Sequence, residues 1–157
     1  MTRTLGLLCL LAFSVPSWSH ELKGEVLKPA DGEVLLGGMI VLKATPANGT
    51  GGGEMMIATL TPGFSTRLHK HTHADEFFFV HSGAGFVVLG TEEVAISPGD
   101  SIFIPRGLNH QLKNLDAKNS LVLVAFLDRP GLADDFRQMH KERQEAASAK
   151  SAPASSK

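Results

Sequence analysis

Short apolar runs dominate the chain between residues 26 and 126, and they constrain the fold more than any other feature of the sequence. Each run is only a few residues long, as at residues 77–80 and 102–104, and Gly, Pro, Asn or Asp stand between successive runs. Runs this short do not make ordinary helices, whereas strands of this length at this spacing build β-sandwiches and barrels. The sequence therefore predicts an all-β domain.

The pattern changes after Pro130 and Gly131. Beyond this turn, apolar side chains recur at near-helical spacing, with charged residues between them: Leu132, Phe136 and Met139. This spacing predicts one short C-terminal helix over residues 131–145. Residues 146–157 are Ala, Ser, Lys and Pro with no large apolar side chain, so they bury too little surface to order the chain. We expect a disordered tail there.

The N-terminal residues have the form of a secretory signal peptide. Arg3 precedes an apolar stretch at residues 5–15, and the small residues Ser17 and Ser19 lie three positions and one position before a cleavage site. The apolar stretch is short for a bilayer span and charged residues follow at once, which argues against a stable membrane anchor. We predict cleavage of residues 1–19 and a periplasmic or secreted protein. His20 would then be the mature N-terminus, where amine and imidazole can chelate copper; its role stays open.

Charge and composition exclude several classes of function. The chain has 15 Lys and Arg against 16 Asp and Glu, a formal net charge of −1, and no basic run, which argues against a nucleic-acid partner. Cys9 and Trp18 are the single Cys and Trp of the chain, both lie in the predicted signal peptide, and there is no Tyr. A cleaved protein therefore has no thiolate or tyrosine for catalysis.

Three histidines alternate at His69, His71 and His73 along an expected strand. Alternation places residues i and i+2 on one face of a strand, so His69 and His71 can bind the same ion. Glu76 is an odd number of residues beyond His71 and would face the other way on a continuous strand. A turn or bulge at residues 72–75 must therefore redirect the chain, so that the next strand begins with Glu76 facing inward.

A fourth candidate ligand lies further along the chain. The turn Pro105-Arg106-Gly107 separates two predicted strands, and His110 is the first reactive side chain on the second of them. Three imidazoles and one carboxylate suit a divalent transition metal and leave one or two positions for water or substrate.

The two segments closely resemble the motifs of the cupin family. The first fits G-x5-H-x-H-x4-E-x6-G and the second fits G-x5-P-x-G-x2-H-x3-N, and all ten fixed positions are met: Gly63, His69, His71, Glu76, Gly83, Gly99, Pro105, Gly107, His110 and Asn114. The resemblance implies a small single-domain cupin, a jelly-roll β-barrel over residues 20–130, with a metal held by His69, His71, Glu76 and His110.

The resemblance leaves the reaction open, because this fold hosts many. Cupins include oxygenases or oxidases, decarboxylases, lyases and isomerases that act on small molecules, and the alternative is a non-catalytic cupin that binds a small ligand or a metal. The metal is also open: the donor set and export favour copper or zinc, whereas cupins commonly hold manganese, iron or nickel. Small cupins often cover their barrel edges with a partner subunit, so the resemblance also implies a homodimer.

Arg67 and His73 are the candidate catalytic residues beside the metal ligands. On a regular strand Arg67 would share the face of His69 and meet an anionic substrate inside the barrel; a salt bridge at the outer mouth is the alternative. His73 lies in the expected turn, where it could support a ligand, act as a base in the pocket, serve as an alternative ligand or be an exposed loop residue.

Overall fold

The computed structural model describes residues 24–151. The predicted signal peptide, residues 1–19, and His20 lie outside the described residues. Within these described residues, nine β-strands precede one α-helix in chain order: β1 (Glu33–Leu35), β2 (Ile40–Ala44), β3 (Glu54–Leu60), β4 (Glu76–Ser82), β5 (Gly85–Leu89), β6 (Glu92–Ile96), β7 (Ser101–Ile104), β8 (His110–Lys113), β9 (Leu121–Leu127) and α1 (Leu132–Ser151). The predicted all-β fold with a C-terminal helix is confirmed.

The strands form two antiparallel sheets. The large sheet has the order β1-β2-β3-β9-β4-β7, and the small sheet has the order β6-β5-β8. The two sheets face each other as a jelly roll, and hydrogen bonding within the described residues does not join them into a continuous closed barrel. Over residues 24–151, no helix combines the length and the hydropathy that a membrane crossing requires.

Alternation along the strands places the core between the sheets. In β4 the buried positions are Glu76, Phe78 and Val80, while Phe77 and Phe79 face outward. The neighbouring strands bring buried Ile102 and Ala125 into register beside Phe78. Because the side-chain period of a strand is two, this register places Glu76 on the core face at one end of the sheet.

The helix α1 begins at a buried carboxylate on β3. Glu54 is 2% exposed, and its two oxygens accept hydrogen bonds from the N–H groups of Gly131 and Ala133, each at 3.0 Å. These donors would otherwise be unsatisfied at the helix start. Further along α1, His140 accepts a hydrogen bond from the Leu36 N–H at 3.0 Å through Nδ1, so this histidine ties the helix to the start of the large sheet.

The helix is longer than the sequence pattern indicates. It was expected over residues 131–145 with disorder from 146, but α1 continues to Ser151. Residues 141–150 are all exposed, so packing does not hold them in the helix. Ala, Lys, Glu and Arg are strong helix formers, and intrinsic propensity extends the helix beyond its last apolar contact. The prediction of a disordered tail was therefore wrong for residues 146–151. Residues 152–157 lie outside the described part of the chain.

Candidate metal centre

His69 and His110 are positioned by a direct pairing of their backbones. The His69 N–H donates to the His110 carbonyl at 3.0 Å, and the His110 N–H donates to the His69 carbonyl at 2.7 Å. This pairing extends the small sheet beyond β8 and leaves the two ring centroids 4.2 Å apart. Two imidazoles that are 41 residues apart in the chain, by their numbers, are thus adjacent in the fold.

Backbone carbonyls fix which ring nitrogen of each histidine is available. Nδ1 of His69 lies 2.8 Å from the Arg67 carbonyl, and Nδ1 of His110 lies 3.0 Å from the Leu108 carbonyl. A carbonyl only accepts, so each Nδ1 carries the hydrogen, and Nε2 of the neutral ring keeps its lone pair. Histidines that bind metals are commonly oriented in this way by a partner on the other nitrogen.

Glu76 lies between two of the imidazoles at the start of β4. Its Oε2 atom is 3.1 Å from Nε2 of His110 and 3.4 Å from Nε2 of His71. His110 is 1% exposed and Glu76 is 3% exposed. The ligand nitrogens of His69, His71 and His110 all lie within 4.8 Å of one another.

Three buried polar atoms at this centre make no hydrogen bond: His71 Nε2, Glu76 Oε2 and His110 Nε2. The oxygen lies 3.1 Å and 3.4 Å from the two nitrogens, but these contacts lack hydrogen-bond geometry. Buried polar atoms are nearly always satisfied, so three together need an explanation. A divalent cation supplies one, because nitrogen lone pairs and a carboxylate oxygen are ligands of a transition metal. The residues present fit a metal ion, and the group His69, His71 and His110 can hold one.

Burial and neighbouring charge shift the pKa values at the centre. Burial and the adjacent His110 and His71 lower the pKa of His69, which favours the neutral, metal-binding ring. Burial of Glu76 alone would raise the pKa of its carboxyl, but His110 and His71 more than offset this and the pKa is lowered. For His110, burial opposes the charged form, while the Glu76 carboxylate and the Leu108 carbonyl favour it, and the pKa is raised.

An ion-pair cluster holds the chain around Glu76, and sequence analysis missed it. Arg106 donates to Asp75 through its backbone N–H and Nε, both at 2.9 Å, and through Nη2 at 3.1 Å. Asp128 accepts from the same guanidinium at 3.2 Å and from the Asp75 N–H at 2.8 Å. The guanidinium lowers the pKa of Asp75 to about 2. The residue before Glu76 is thereby tied to the turn before His110 and to the end of β9.

Gly107 connects the two motif segments directly. Its N–H donates to the His71 carbonyl at 2.7 Å, and its backbone has φ +85°, in the left-handed region that favours glycine. The glycine of the Pro-x-Gly turn thus fixes the position of a candidate ligand on the other segment. The spacing of the motif residues does not predict this contact or the Asp75 cluster, and both are seen only in the folded structure.

Arg67 does not reach the interior. Thr66 bonds Leu112 and His69 bonds His110, so two residues of this segment, Arg67 and Leu68, lie opposite the single residue Gln111. This one-residue bulge breaks the alternation that would place Arg67 beside His69. Arg67 is exposed, and its side chain has no ion pair within residues 24–151. The expected inward orientation of Arg67 is therefore not observed.

His73 lies in a bend at residues 72–73 and is exposed. Asp75 lies between this bend and β4, and His81 points away from the core. A cleft of about 250 Å³ is lined by His71 and His73 together with the following residues: Lys70, Thr72, Ala74, Leu127, Arg129, Pro130, Gly131, Leu132 and Asp135. The structure thus groups His69, His71 and His110 and places Glu76 beside two of them. It places His73, but not Arg67, on a cleft that is also lined by His71.

Comparison with known proteins identifies the class to which this fold and site belong. The cupin domain family matches residues 56–126. Protein SchB of Streptomyces halstedii is 30% identical over 100 residues, which cover 61% of this chain and 72% of SchB. The uncharacterized protein MJ1618 of Methanocaldococcus jannaschii is 33% identical over 58 residues, which cover 37% of this chain and 46% of that protein. The chain therefore spans less than half the length of MJ1618.

Solved structures show the same fold. An RmlC-like cupin from Shewanella frigidimarina superposes with a TM-score of 0.58 at 16% identity, covering 71% of this chain and 96% of that chain. A cupin 2 conserved barrel domain protein from Salinispora arenicola superposes with a TM-score of 0.54 at 20% identity, covering 76% and 99%. The chain belongs to the cupin family, as the two motifs predict.

Proposed function

We propose that this protein is a metal-dependent cupin that acts on a small polar molecule, with the metal held by His69, His71, Glu76 and His110. The observation that carries the proposal is the convergence of three buried, unpartnered ligand atoms at one point. Without an ion, a buried carboxylate beside imidazoles that are not fully paired is unfavourable. With an ion, the same atoms are satisfied.

The protein's own residues prepare this centre. The carbonyls of Arg67 and Leu108 hold the rings of His69 and His110 with Nε2 toward the site. Glu76 contributes a negative charge that offsets the charge of a divalent cation in a buried position. A bound transition metal would supply Lewis acidity or redox chemistry there. The oxygenase or oxidase, decarboxylase, lyase and isomerase classes all use a centre of this kind.

The cleft at His71 supports a small, anionic substrate. Its volume of about 250 Å³ suits a molecule of a few heavy atoms, and Lys70 and Arg129 supply positive charge along its lining. His73 lies on the same lining, and an imidazole is the side chain that most often serves as a general acid or base in catalysis. We therefore assign His73, rather than Arg67, as the proton-transfer candidate.

Metal content per chain tests the four-ligand site. We expect about one equivalent of Mn, Fe, Cu, Zn or Ni in the purified protein, a value that the His110→Ala variant lowers to background. His81→Ala is the matched control, because His81 is exposed on β4 and faces away from the core. A folded wild-type protein without metal after loading with each ion would overturn the proposal.

Azide binding separates an enzyme from a non-catalytic metal-binding cupin. An enzyme needs an open coordination position, so azide added to the copper-loaded or iron-loaded protein should change its absorption spectrum. An absorption spectrum that azide leaves unchanged would indicate a metal with no open coordination position, and it would favour the non-catalytic binding role. If azide changes the spectrum, small carboxylates would be screened as substrates. With a substrate in hand, we expect His73→Ala to lower kcat more than it raises KM.

Export and self-association are further proposals. Cleavage after Ser19 and a periplasmic or secreted location are supported by Arg3, by the apolar stretch at residues 5–15, and by the small residues Ser17 and Ser19 before the cleavage site. Mass spectrometry of the protein from the exported fraction tests this: a first residue other than His20, or retention in the cytosol, would contradict it. A second copy of the chain is the macromolecular partner we propose, because the resemblance implies a partner subunit over the barrel edges.

A further inference from the structure

Glu54 is a buried carboxylate that lies close to the metal centre and is not one of its candidate ligands. In the large sheet, Leu127 pairs with Glu54 on one side and with Glu76 on the other, and all three side chains are buried. Directly paired residues share a face of the sheet, so both carboxylates lie on the core face, two strand spacings or about 10 Å apart at the backbone. A buried carboxylate is unfavourable unless it is well bonded, so the partners of Glu54 indicate its role.

The partners of Glu54 are at the start of α1. Its Oε1 atom accepts from the Gly131 N–H and its Oε2 atom accepts from the Ala133 N–H, each at 3.0 Å. The Gly131 carbonyl accepts a hydrogen bond of the first helical turn, from the Asp135 N–H at 3.2 Å, so Gly131 occupies the capping position. Glycine has no side chain to cap a helix. A carboxylate 77 residues earlier in the chain does so in its place.

A cap supplied by another strand fixes more than a local cap does. An ordinary capping side chain belongs to the residue that precedes the helix, so it moves with the helix. Glu54 instead lies on β3, inside the large sheet between β2 and β9. Its two hydrogen bonds therefore set the position of the α1 start relative to the sheet.

The α1 start is one wall of the cleft beside the metal centre. Gly131 and Leu132 line the cleft from the helix, and residues 70–74 line it from the loop that carries His71. Gly131 is thus both a partner of Glu54 and a residue of the cleft wall. The separation between the helix start and the loop is the width of the cleft, so the group that holds the helix start sets this width.

We propose that Glu54 is a positioning residue that sets the width of the cleft, and with it the size of the ligand that reaches the metal. The inference rests on the proposed function, in which a small anion enters this cleft. Glu54 does not touch the ligand, because it acts through Gly131 and Leu132. A binding site discriminates between ligands that differ by a single methylene group, and a displacement of about 1 Å alters binding geometry, so a displaced wall changes selectivity.

Glu54→Gln removes this restraint while keeping the length of the side chain. The amide keeps one accepting oxygen and places a donating NH2 group where the second oxygen was, so one of the two backbone N–H groups loses its partner. Glu33→Gln is the matched control. Glu33 on β1 accepts from Arg137 of the same helix at 2.8 Å, and Arg137 does not line the cleft. The control therefore weakens the attachment of α1 away from the cleft.

Anions of different size test the width of the cleft. Azide would be titrated into the copper-loaded protein, and formate and pivalate, which carries a tert-butyl group, would be measured by competition with azide. We expect the ratio of the pivalate Kd to the formate Kd to fall about tenfold in Glu54→Gln and to stay unchanged in Glu33→Gln. Metal content should match the wild type in both variants, because neither residue is a candidate ligand. In the metal-free protein, hydrogen exchange at residues 131–135 should rise more in Glu54→Gln than in Glu33→Gln.

Two results would overturn the proposal: a Kd ratio that stays at the wild-type value in Glu54→Gln, or the same change of ratio in Glu33→Gln, which would assign the effect to a general loosening of α1. Either result leaves the proposed function intact. A wild type that holds no metal, or that holds metal but binds none of the three anions, would instead overturn the proposed function and this inference together. If Glu54→Gln does not fold, Glu54→Asp gives the same comparison, because it keeps the carboxylate but is too short to reach both donors.

Discussion

The two segments that supply the metal-site side chains are built differently. Residues 63–76 carry His69, His71 and Glu76, yet before β4 they contain only isolated bridges and bends. Residues 99–114 carry His110 alone and form the regular strands β7 and β8, joined by a tight turn. His110 is 1% exposed, whereas His69 and His71 are half-buried. The segment with more ligands has less structure of its own.

The first segment is therefore positioned by contacts from outside itself. His69 is held by the backbone of His110, the His71 carbonyl accepts from the Gly107 N–H, and Asp75 is held by Arg106. All three partners lie in the second segment. The second segment therefore supplies one candidate ligand and also holds the first segment in position. Substitutions in the second segment can test this dependence.

Metal removal should affect the two segments unequally, and this is the largest effect we expect. A ligand present at 1,000 times its Kd stabilises the folded state by about 4 kcal/mol, so chelation should lower Tm by several degrees. Hydrogen exchange should rise mainly at residues 66–75, because β8 keeps its pairing with β5. Equal loss of protection at residues 111–113 would contradict the dependence of one segment on the other.

Gly107→Ala should weaken both stability and metal binding. The residue has φ +85°, so a Cβ introduces strain of about 1–2 kcal/mol, and relief of that strain displaces the donor to His71. Urea denaturation and a metal-competition titration measure the two effects.

Gly99→Ala is the matched control for this substitution. Gly99 has φ +98° and open space at the Cβ position, as Gly107 has, but its N–H donates to Val80. Similar loss of stability is expected, without loss of metal affinity. If both variants bind metal equally well, the Gly107 contact does not position His71.

Much of this centre could be predicted from the sequence, because its logic is local. Alternation places His69 and His71 on one face, and the odd step to Glu76 requires the bends observed at residues 72–73. The inward Phe78 and outward Phe77 follow from the same period. The short apolar runs likewise predicted the strands, since each run is bounded by turn residues.

The remaining features depend on contacts between distant residues. The bulge that turns Arg67 outward is set by pairing with β8, and the Asp75–Arg106–Asp128 cluster joins three separate loops. The composition of the outer face of the large sheet appears only once the strand order is known, because six strands contribute to it. No pattern within a single segment contains this information.

Arg106→Lys should reduce metal affinity without changing the fold. Lysine keeps the charge but cannot form the forked contact with Asp75, so the residue before Glu76 is less firmly held. We expect a loss of about threefold to tenfold in metal affinity, below the usual range for groups that touch a ligand directly. Arg137→Lys is the control. Arg137 lies on α1 and makes a similar multiple contact with Glu33 on β1 and with Asp134 on its own helix. An unchanged affinity in Arg106→Lys would limit the cluster to a structural role.

Asp116→Asn should have the smallest effect, confined to stability. Asp116 follows the second segment, and its carboxylate accepts from the N–H groups of Lys118 and Asn119, which lowers its pKa. A carboxyl whose pKa is lowered on folding stabilises the protein above its unfolded pKa of about 3.9, and that contribution is lost as pH falls through the folded value. The difference in Tm between wild type and variant should therefore be present at pH 7 and shrink below about pH 4.

Metal affinity should not change, because this carboxylate contacts its own turn and no residue of the first segment. A measurable loss of metal in Asp116→Asn would show that any weakening of the second segment is transmitted, and that the contacts of Gly107 and Arg106 have no special role.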